Sequence, residues 1–440
     1  MLWTILFIFI VGYIAIVLEH PLQINKTAFA LLTGILCWAA MAIMTPEPWM
    51  FELPQYKAFI EHHQDNQHNG FIGFVTHYLE HHLGEISQIL FFLLGAMTIV
   101  ELVDAHHGFR IVTDRITTQN PRVLLWIIAI LTFFLSAILD NLTTSIVLVS
   151  VLRKIIKDPS LRKFFAGVVI ISANAGGAWS PIGDVTTTML WIGGQITTPA
   201  VIKLVFIPSV INMVVPVTVI TFMIKDKLMA DSAPMVEDKI KGREIIFISG
   251  ILGLISVPIF KTYTHLPPYM GMLLALGVIW LISEVVHKRT DHHERLRFTA
   301  AHALSRIDTS SVLFFLGILL AVSSLETLGI LSKAAGSLTE SVGDMRIIAL
   351  LIGAASAVVD NVPVVAASMG MYSLTEFPID HSFWHFLTYA SGTGGSMLII
   401  GSAAGVAVMG IEKIDFIWYL KKISWLALIG YLAGALWFFI

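Results

Sequence analysis

Residues 135–148 read LSAILDNLTTSIVL, and the carboxylate set in this apolar run decides how the chain folds. Of its residues, 56% are hydrophobic and only 13% charged, against about 25% charged in ordinary soluble domains. Mean hydropathy is +0.81, and several apolar stretches approach the ~20 residues a spanning helix needs. The composition therefore predicts an all-α polytopic membrane protein. A carboxylate near mid-bilayer costs roughly 2.5–3.5 kcal/mol, so it is retained where an ion or proton path needs it.

Working outward, the run lies between Arg122 on one side and Arg153 and Lys154 on the other. Basic residues favour the cytoplasmic face, so both ends belong on that side. About 30 residues are too few for two crossings and too many for one upright helix. The economical solution is a re-entrant hairpin with Asp140 and Asn141 near its tip. Irregular backbone at that depth survives only where protein or a water-filled cavity surrounds it.

The same pair recurs as Asp360-Asn361 in ASAVVDNVPVVAAS at 355–368, 220 positions later. Between the two lies NAGGAWSPIGD, residues 174–184, whose glycines and proline would break a crossing helix at 164–198 into halves. Its Gly176, Gly177 and Gly183 return as Gly394, Gly395 and Gly401, 218 positions on. LFFLLGAM at 90–97 likewise returns as LFFLGILL at 313–320. Three blocks in one order at nearly constant offset predict two repeats, each with a re-entrant hairpin and a broken transmembrane helix.

Charge placement orients them. If the basic clusters face the cytoplasm, 22 of the 27 Lys and Arg lie inside, leaving Lys57, Lys203, Lys261, Lys333 and Arg346. Two spans, 245–261 and 267–286, then make the second repeat start inside where the first starts outside. Inverted topology follows, with ten crossings and both termini outside. Residues 1–87 hold two transmembrane helices and a His-rich external loop, and 88–224 form the first repeat. Residues 225–310 hold two connecting helices with basic cytoplasmic loops, and 311–440 form the second repeat. The apolar N-terminus has neither a basic n-region nor a small-residue cleavage site and reads as a first span. Cys37 is the single cysteine, which leaves no intrachain disulfide and reads as a packed hydrophobe.

The polar residues at membrane depth are oxygen donors. Thr143 and Thr144 follow the first tip; Asn174, Ser180, Asp184, Thr186, Thr187 and Thr188 line the first break. Ser391, Thr393, Ser396 and Ser402 line the second. Hard cations prefer such ligands, while soft metals want thiolate or imidazole. Asp140 and Asp360 are expected to hold Na+ and to exchange it for protons. The bland reading is that Asp-Asn caps the half-helices of each hairpin, and that the serines and threonines bond back to their own helices. The histidines at 61–82 read as an exposed loop rather than a metal site. Glu101 and Asp104 fall at the cytoplasmic end of the third span, where Glu101 could relay protons.

The Asp-Asn hairpins, the 174–187 loop NAGGAWSPIGDVTT and the 389–405 segment YASGTGGSMLIIGSAAG resemble NhaD-type Na+/H+ antiporters. That family lies in the ion-transporter superfamily, with arsenite permeases and dicarboxylate carriers. The resemblance runs from about residue 85 to the C-terminus and implies exchange of cytoplasmic Na+, and often Li+, for external protons. It further implies pH homeostasis, a bacterial inner (plasma) membrane setting and a homodimer. By motif it supports Asp140, Asn141, Asn174, Asp184, Thr186, Thr187 and Asn361 as site residues. The second repeat departs from the first by offering Ser402 where the first has Asp184.

An arsenite or dicarboxylate permease is the alternative, although paired carboxylates repel an anionic substrate. No HExxH pattern or Ser-His pair at membrane depth suggests an enzyme, and no GxxxxGK[ST] loop suggests an ATP engine. No cofactor and no nucleic-acid partner are expected; the partners are the lipid bilayer, Na+, Li+ and H+.

Overall fold

The computed structural model describes residues 2–62, 70–116, 118–224, 240–288 and 296–440. Its main elements are helices α1 (Leu2–Val17), α2 (Lys26–Ile43), α3 (Phe71–Ala105), α4 (Pro121–Leu139), α5 (Asn141–Ile155) and α6 (Pro159–Ala178). There follow α7 (Val185–Ile192), α8 (Thr198–Met223), α9 (Arg243–Thr264), α10 (Pro268–Val286) and α11 (Thr309–Thr327). The chain closes with α12 (Ile330–Val342), α13 (Met345–Ala355), α14 (Asn361–Met371), α15 (Ser382–Gly394), α16 (Ala403–Glu412) and α17 (Phe416–Phe439). Eight of these are long and apolar enough to cross a membrane. The described residues contain no strand, so the chain is an all-α, multi-pass membrane protein.

Local chemistry explains the boundaries at the centre of the fold. Asn120 caps α4 by accepting from the Arg122 and Val123 amides (2.9 and 3.3 Å), with Pro121 in the first turn. Only Asp140 separates α4 from α5, at φ 97° and ψ 158°, a region that costs a non-glycine residue about 1–3 kcal/mol. Its carboxylate offsets part of that by accepting from Thr143 N (2.7 Å) and Thr143 Oγ1 (2.8 Å), so it caps α5. The break at residues 179–184 ends α6, and Asp184 restarts the chain as the cap of α7 by accepting from Thr186 N (3.2 Å). Ser402 does the same for α16, accepting from Gly405 N (3.2 Å).

The chain divides into two compact units. The first comprises residues 1–90, 308–345 and 365–378. There α2 packs on α11 at small residues: a Cβ on Gly34 would stand 2.5 Å from the Gly317 carbonyl oxygen. Trp38 Nε1 donates to the Leu320 carbonyl (2.8 Å). Residues 71–82 are helical here, not loop, because Phe74 and Tyr78 form an aromatic stripe with Phe71 that packs on Tyr56 and Phe59. Gly73 and Gly84 obscure that helix in the sequence. His82 is buried beside Thr327 (3.2 Å). Residues 63–69 of the His-rich stretch lie outside the described residues, and no metal-binding group of histidines or acids occurs among those described.

The second unit comprises residues 91–307, 346–364 and 379–440. Its helix ends sort into two groups. At one, Arg162 at the start of α6 donates to Glu412 at the end of α16 (2.6 Å), and Arg153 at the end of α5 stands 3.5 Å from the same carboxylate. Arg122 donates to the Ile224 carbonyl beyond α8 (3.2 Å). At the other, Asp380, just before α15, accepts from Thr197 N (2.7 Å) and Thr197 Oγ1 (2.8 Å) beyond α7. Lys261 at the end of α9 donates to the Trp191 carbonyl (2.8 Å). The broken helices α6–α7 and α15–α16 therefore run antiparallel.

Candidate functional site

Within the second unit, the α4–α5 tip and the α6–α7 break meet first. Ser136 Oγ donates to the Ala173 carbonyl (2.6 Å), and a Cβ on Gly176 would collide with the Phe133 carbonyl. The second half repeats both contacts at the offsets seen in the sequence. Ser356 Oγ donates to the Ser391 carbonyl (3.1 Å), and a Cβ on Gly394 would collide with the Gly353 carbonyl. Gly177 lies against Gly183 as Gly395 lies against Gly401. Each hairpin tip is thus docked on its own broken helix by one serine and one close backbone approach.

Where the two breaks face each other, contacts are reciprocal but chemically unequal. Asn174 Nδ2 donates to Ser396 Oγ (2.9 Å) and Ser402 Oγ (3.0 Å). The matching position in the second half is Gly392, and a Cβ there would stand 3.0 Å from Ala178 Cβ and 3.6 Å from Asp184 Oδ2. Asn174, Ser396 and Ser402 thus correspond to Gly392, Ala178 and Asp184. The pairing is isologous in form, yet only one side brings a carboxylate and an amide.

Asp184 is the hub. Its Oδ2 accepts from Asn141 Nδ2 (3.1 Å) and Asn361 Nδ2 (3.3 Å), the amides of the two hairpin tips. Asn141 also donates to Asn174 Oδ1 (3.0 Å). Asp184 is 2% exposed, so its charge is met by protein rather than solvent. Asp140 and Asp360 lie within electrostatic reach of it. Asp360 accepts from Val362 N (3.4 Å) at the start of α14.

The other expected residues divide. The Thr144 hydroxyl is buried with no hydrogen-bond partner among the described residues, which leaves oxygen available to a cation, and the buried Thr186 hydroxyl lies beside the Asp184 carboxylate. Thr143 is engaged by Asp140, and Thr187 donates to the Ala178 carbonyl (3.3 Å). Thr188 donates to the Pro181 carbonyl (2.9 Å). Ser391 and Thr393 donate back to Leu387 and Tyr389 of their own helix (2.7 and 2.6 Å). Ser396 is held from behind, its carbonyl accepting from Tyr419 Oη (2.9 Å). Glu101 pairs with Arg306 at 2.9 Å, away from this centre. Three contributors were missed in the sequence: Gly392, whose lack of a side chain leaves room beside Asp184, and the docking pair Ser136 and Ser356. Each serine stands four residues before its tip aspartate, a matched spacing that could have been read.

Comparison with known proteins agrees with this architecture. Residues 4–382 match the profile of the citrate transporter family, CitMHS. Sodium/proton antiporter 1 of Arabidopsis thaliana is 47% identical over 97% of this chain and 70% of its own length. Sodium/proton antiporter 2 of that plant is 46% identical over 97% and 96%. The Na(+)/H(+) antiporter NhaD of Vibrio cholerae is 30% identical over 98% and 90%. The chain belongs to the citrate transporter family and groups there with relatives named sodium/proton antiporters.

Proposed function

We propose that this chain exchanges cytoplasmic Na+, and Li+, for external protons. The observation that carries the reading is the single Asp184 carboxylate taking an amide from each hairpin tip, with Asp140 and Asp360 beside it. Cation and protons compete for these carboxylates: an ion stabilises the charged forms, and protons load them when it leaves. The hydroxyls of Thr144 and Thr186 and the carbonyl ends of the half-helices supply further oxygen. Asn141, Asn174, Asn361, Ser396 and Ser402 bridge the parts.

We infer further that residues 88–224 and 311–440 are inverted repeats. The antiparallel broken helices and the reciprocal contacts of Asn174 and Gly392 support this. The basic end holding Arg122, Arg153 and Arg162 would then face the cytoplasm. The setting proposed is a bacterial inner (plasma) membrane, and the assembly a homodimer. Cross-linking in isolated membranes tests the assembly.

The family name favours a second reading, carriage of citrate or another carboxylate. Helix N-termini are the natural seats for such an anion. Asp140, Asp184 and Asp360 already occupy three of them, at α5, α7 and α14, and only Ser402 at α16 is neutral. That arrangement repels a carboxylate and favours a cation.

The test is proton movement in everted vesicles with an imposed pH gradient, on adding Na+, Li+, K+, arsenite or citrate. Dissipation by Na+ or Li+, lost in Asp140→Asn, Asp184→Asn and Asp360→Asn, is the expected result. Silence to cations with transport of citrate or arsenite would replace the reading with the anion or arsenite carrier.

A further inference from the structure

Away from the polar centre, His385 is fully buried in the first turn of α15, and among the described residues its ring nitrogens meet no hydrogen-bonding group apart from Asp380. A neutral imidazole carries one donor and one acceptor, and Asp380 can meet only the nitrogen that faces it, which leaves the other unmet in the interior at a cost. A histidine kept only for packing would be expected to satisfy both. Asp380 stands beside it, with Oδ1 3.5 Å from His385 Nε2. The Asp380 side chain is 30% exposed and so reaches solvent, while that of His385 is 1% exposed. Asp380 is held at φ 63° and is bonded to Thr197 through both carboxylate oxygens and to the Gln195 carbonyl through its amide.

His385 also lies on the helix face that leads to the site. Positions 385, 388 and 392 share one face of α15, spaced as i, i+3 and i+7. Gly392, on the same face, lies against Asp184. The axial distance from His385 to Gly392 is about 10 Å, two helical turns. Between them is Thr388, buried and bonded back to the Trp384 carbonyl (2.7 Å).

We propose that His385 is a proton-binding relay on the Asp380 side of the pathway. It takes a proton that has reached Asp380 from outer solvent and delivers one toward Asp184 along the stripe that Thr388 lines. The neutral ring binds the incoming proton on the nitrogen facing Asp380 and becomes imidazolium. It releases a proton from the opposite nitrogen, and the ring then returns to its first tautomer, with no net change. The titratable groups acting on it are Asp380 and His381. His381 Nδ1 accepts from Phe383 N (3.2 Å), which commits that nitrogen to capping α15. The proposal rests on the antiport reading above and adds a group used by the proton alone.

The test separates proton from cation movement in proteoliposomes. Na+/H+ exchange is measured by pH-gradient dissipation, and Na+/Na+ exchange by tracer uptake, in wild type and His385→Gln. The expected result is at least a tenfold fall in Na+/H+ exchange with Na+/Na+ exchange within twofold of wild type. Equal loss of both modes would assign His385 a structural role and overturn the proposal, as would retention of both. A wild type inert to Na+ in both modes would remove the antiport reading itself, and the relay with it. Should His385→Gln not accumulate in the membrane, His385→Phe fills the same volume without a titratable nitrogen and is judged by the same ratio.

Discussion

Asn361 on the second hairpin donates to Asp184 on the first broken helix (3.3 Å), 177 positions away in the chain. The same oxygen takes the Asn141 amide at 3.1 Å, so one carboxylate ties both hairpin tips together. Replacing Asp184 by Asn keeps a capping oxygen for α7 but removes the charge. Asp184→Asn is expected to fold and to lose Na+-driven proton movement by at least about 100-fold, the scale of about 2.7 kcal/mol. Asn361→Ala keeps the carboxylate and should mainly raise the KM for Na+, by roughly tenfold for one lost charge-assisted bond. Vesicle assays over a Na+ series distinguish the two, and an Asp184→Asn variant with wild-type exchange would refute the hub.

The hairpins dock by backbone contact, so glycine there is a packing requirement. In Gly394→Ala the new Cβ meets the Gly353 carbonyl, with Ser356 Oγ 2.8 Å away. Backbone cannot move aside cheaply, and overpacking of this kind costs about 1–3 kcal/mol or more. Gly410 in α16 has nothing within 4 Å of the same atom, and Gly410→Ala should be neutral or gain about 0.5–1 kcal/mol in the helix interior. Thermal unfolding in detergent reads both. Equal melting temperatures for Gly394→Ala and wild type would show that the approach is looser than described.

Much of this was legible in the chain, for identifiable reasons. Asp140 and Asp360 stand out because charge in an apolar run is expensive, and the glycine clusters because helices do not tolerate them for nothing. The repeat offsets of 220 and 218 reappear in space as Ser136 with Ala173 and Ser356 with Ser391. What stayed hidden was the division of labour. The sequence places Asp140 and Asp360 as a matched pair, whereas the hydrogen bonds converge on Asp184. That convergence depends on the angle at which α6–α7 and α15–α16 cross, which no spacing encodes. Hairpin depth was also obscured, because α4 has 19 residues and is about 28 Å long. That reach approaches the ~30 Å of a hydrocarbon core, so the tip lies at mid-membrane only if the hairpin is tilted or starts outside the core.

The ion pair between Arg162 and Glu412 joins the two broken helices at one end (2.6 Å), with Glu412 only 1% exposed. Removing one partner of a buried pair strands the other charge and costs about 3–5 kcal/mol. Arg162→Ala should therefore destabilise the protein strongly, and Arg162→Met with Glu412→Met should recover much of the loss. Arg153 reaches the same carboxylate at 3.5 Å from a side chain 56% exposed, so Arg153→Ala should cost less than about 1 kcal/mol. Denaturation midpoints of the four proteins decide it. A double variant no better than Arg162→Ala would show that the pair is not what the second substitution relieves.

Beyond the ends of α3 and α10, His106 and His287 meet ring to ring, Nε2 to Nε2, at 3.0 Å. His106 Nδ1 donates to the Leu102 carbonyl (2.7 Å), so in its neutral form Nε2 is the acceptor and His287 the donor. Phe298 stacks on His287 with ring centres 4.3 Å apart and closes the pair. Burial pushes the His106 imidazole down to about 4, and His287 is lowered for the same reason. The unfolded chain protonates these rings near ~6.5, so between that pH and 4 it binds more protons than the folded chain. Stability is therefore full above pH ~6.5 and falls as pH drops toward 4, by up to about 3 kcal/mol for His106. Melting curves from pH 7.5 to 4.5 should show this slope, and His106→Gln should flatten it while lowering the neutral-pH plateau. A slope unchanged by the substitution would place the acid sensitivity elsewhere in the chain.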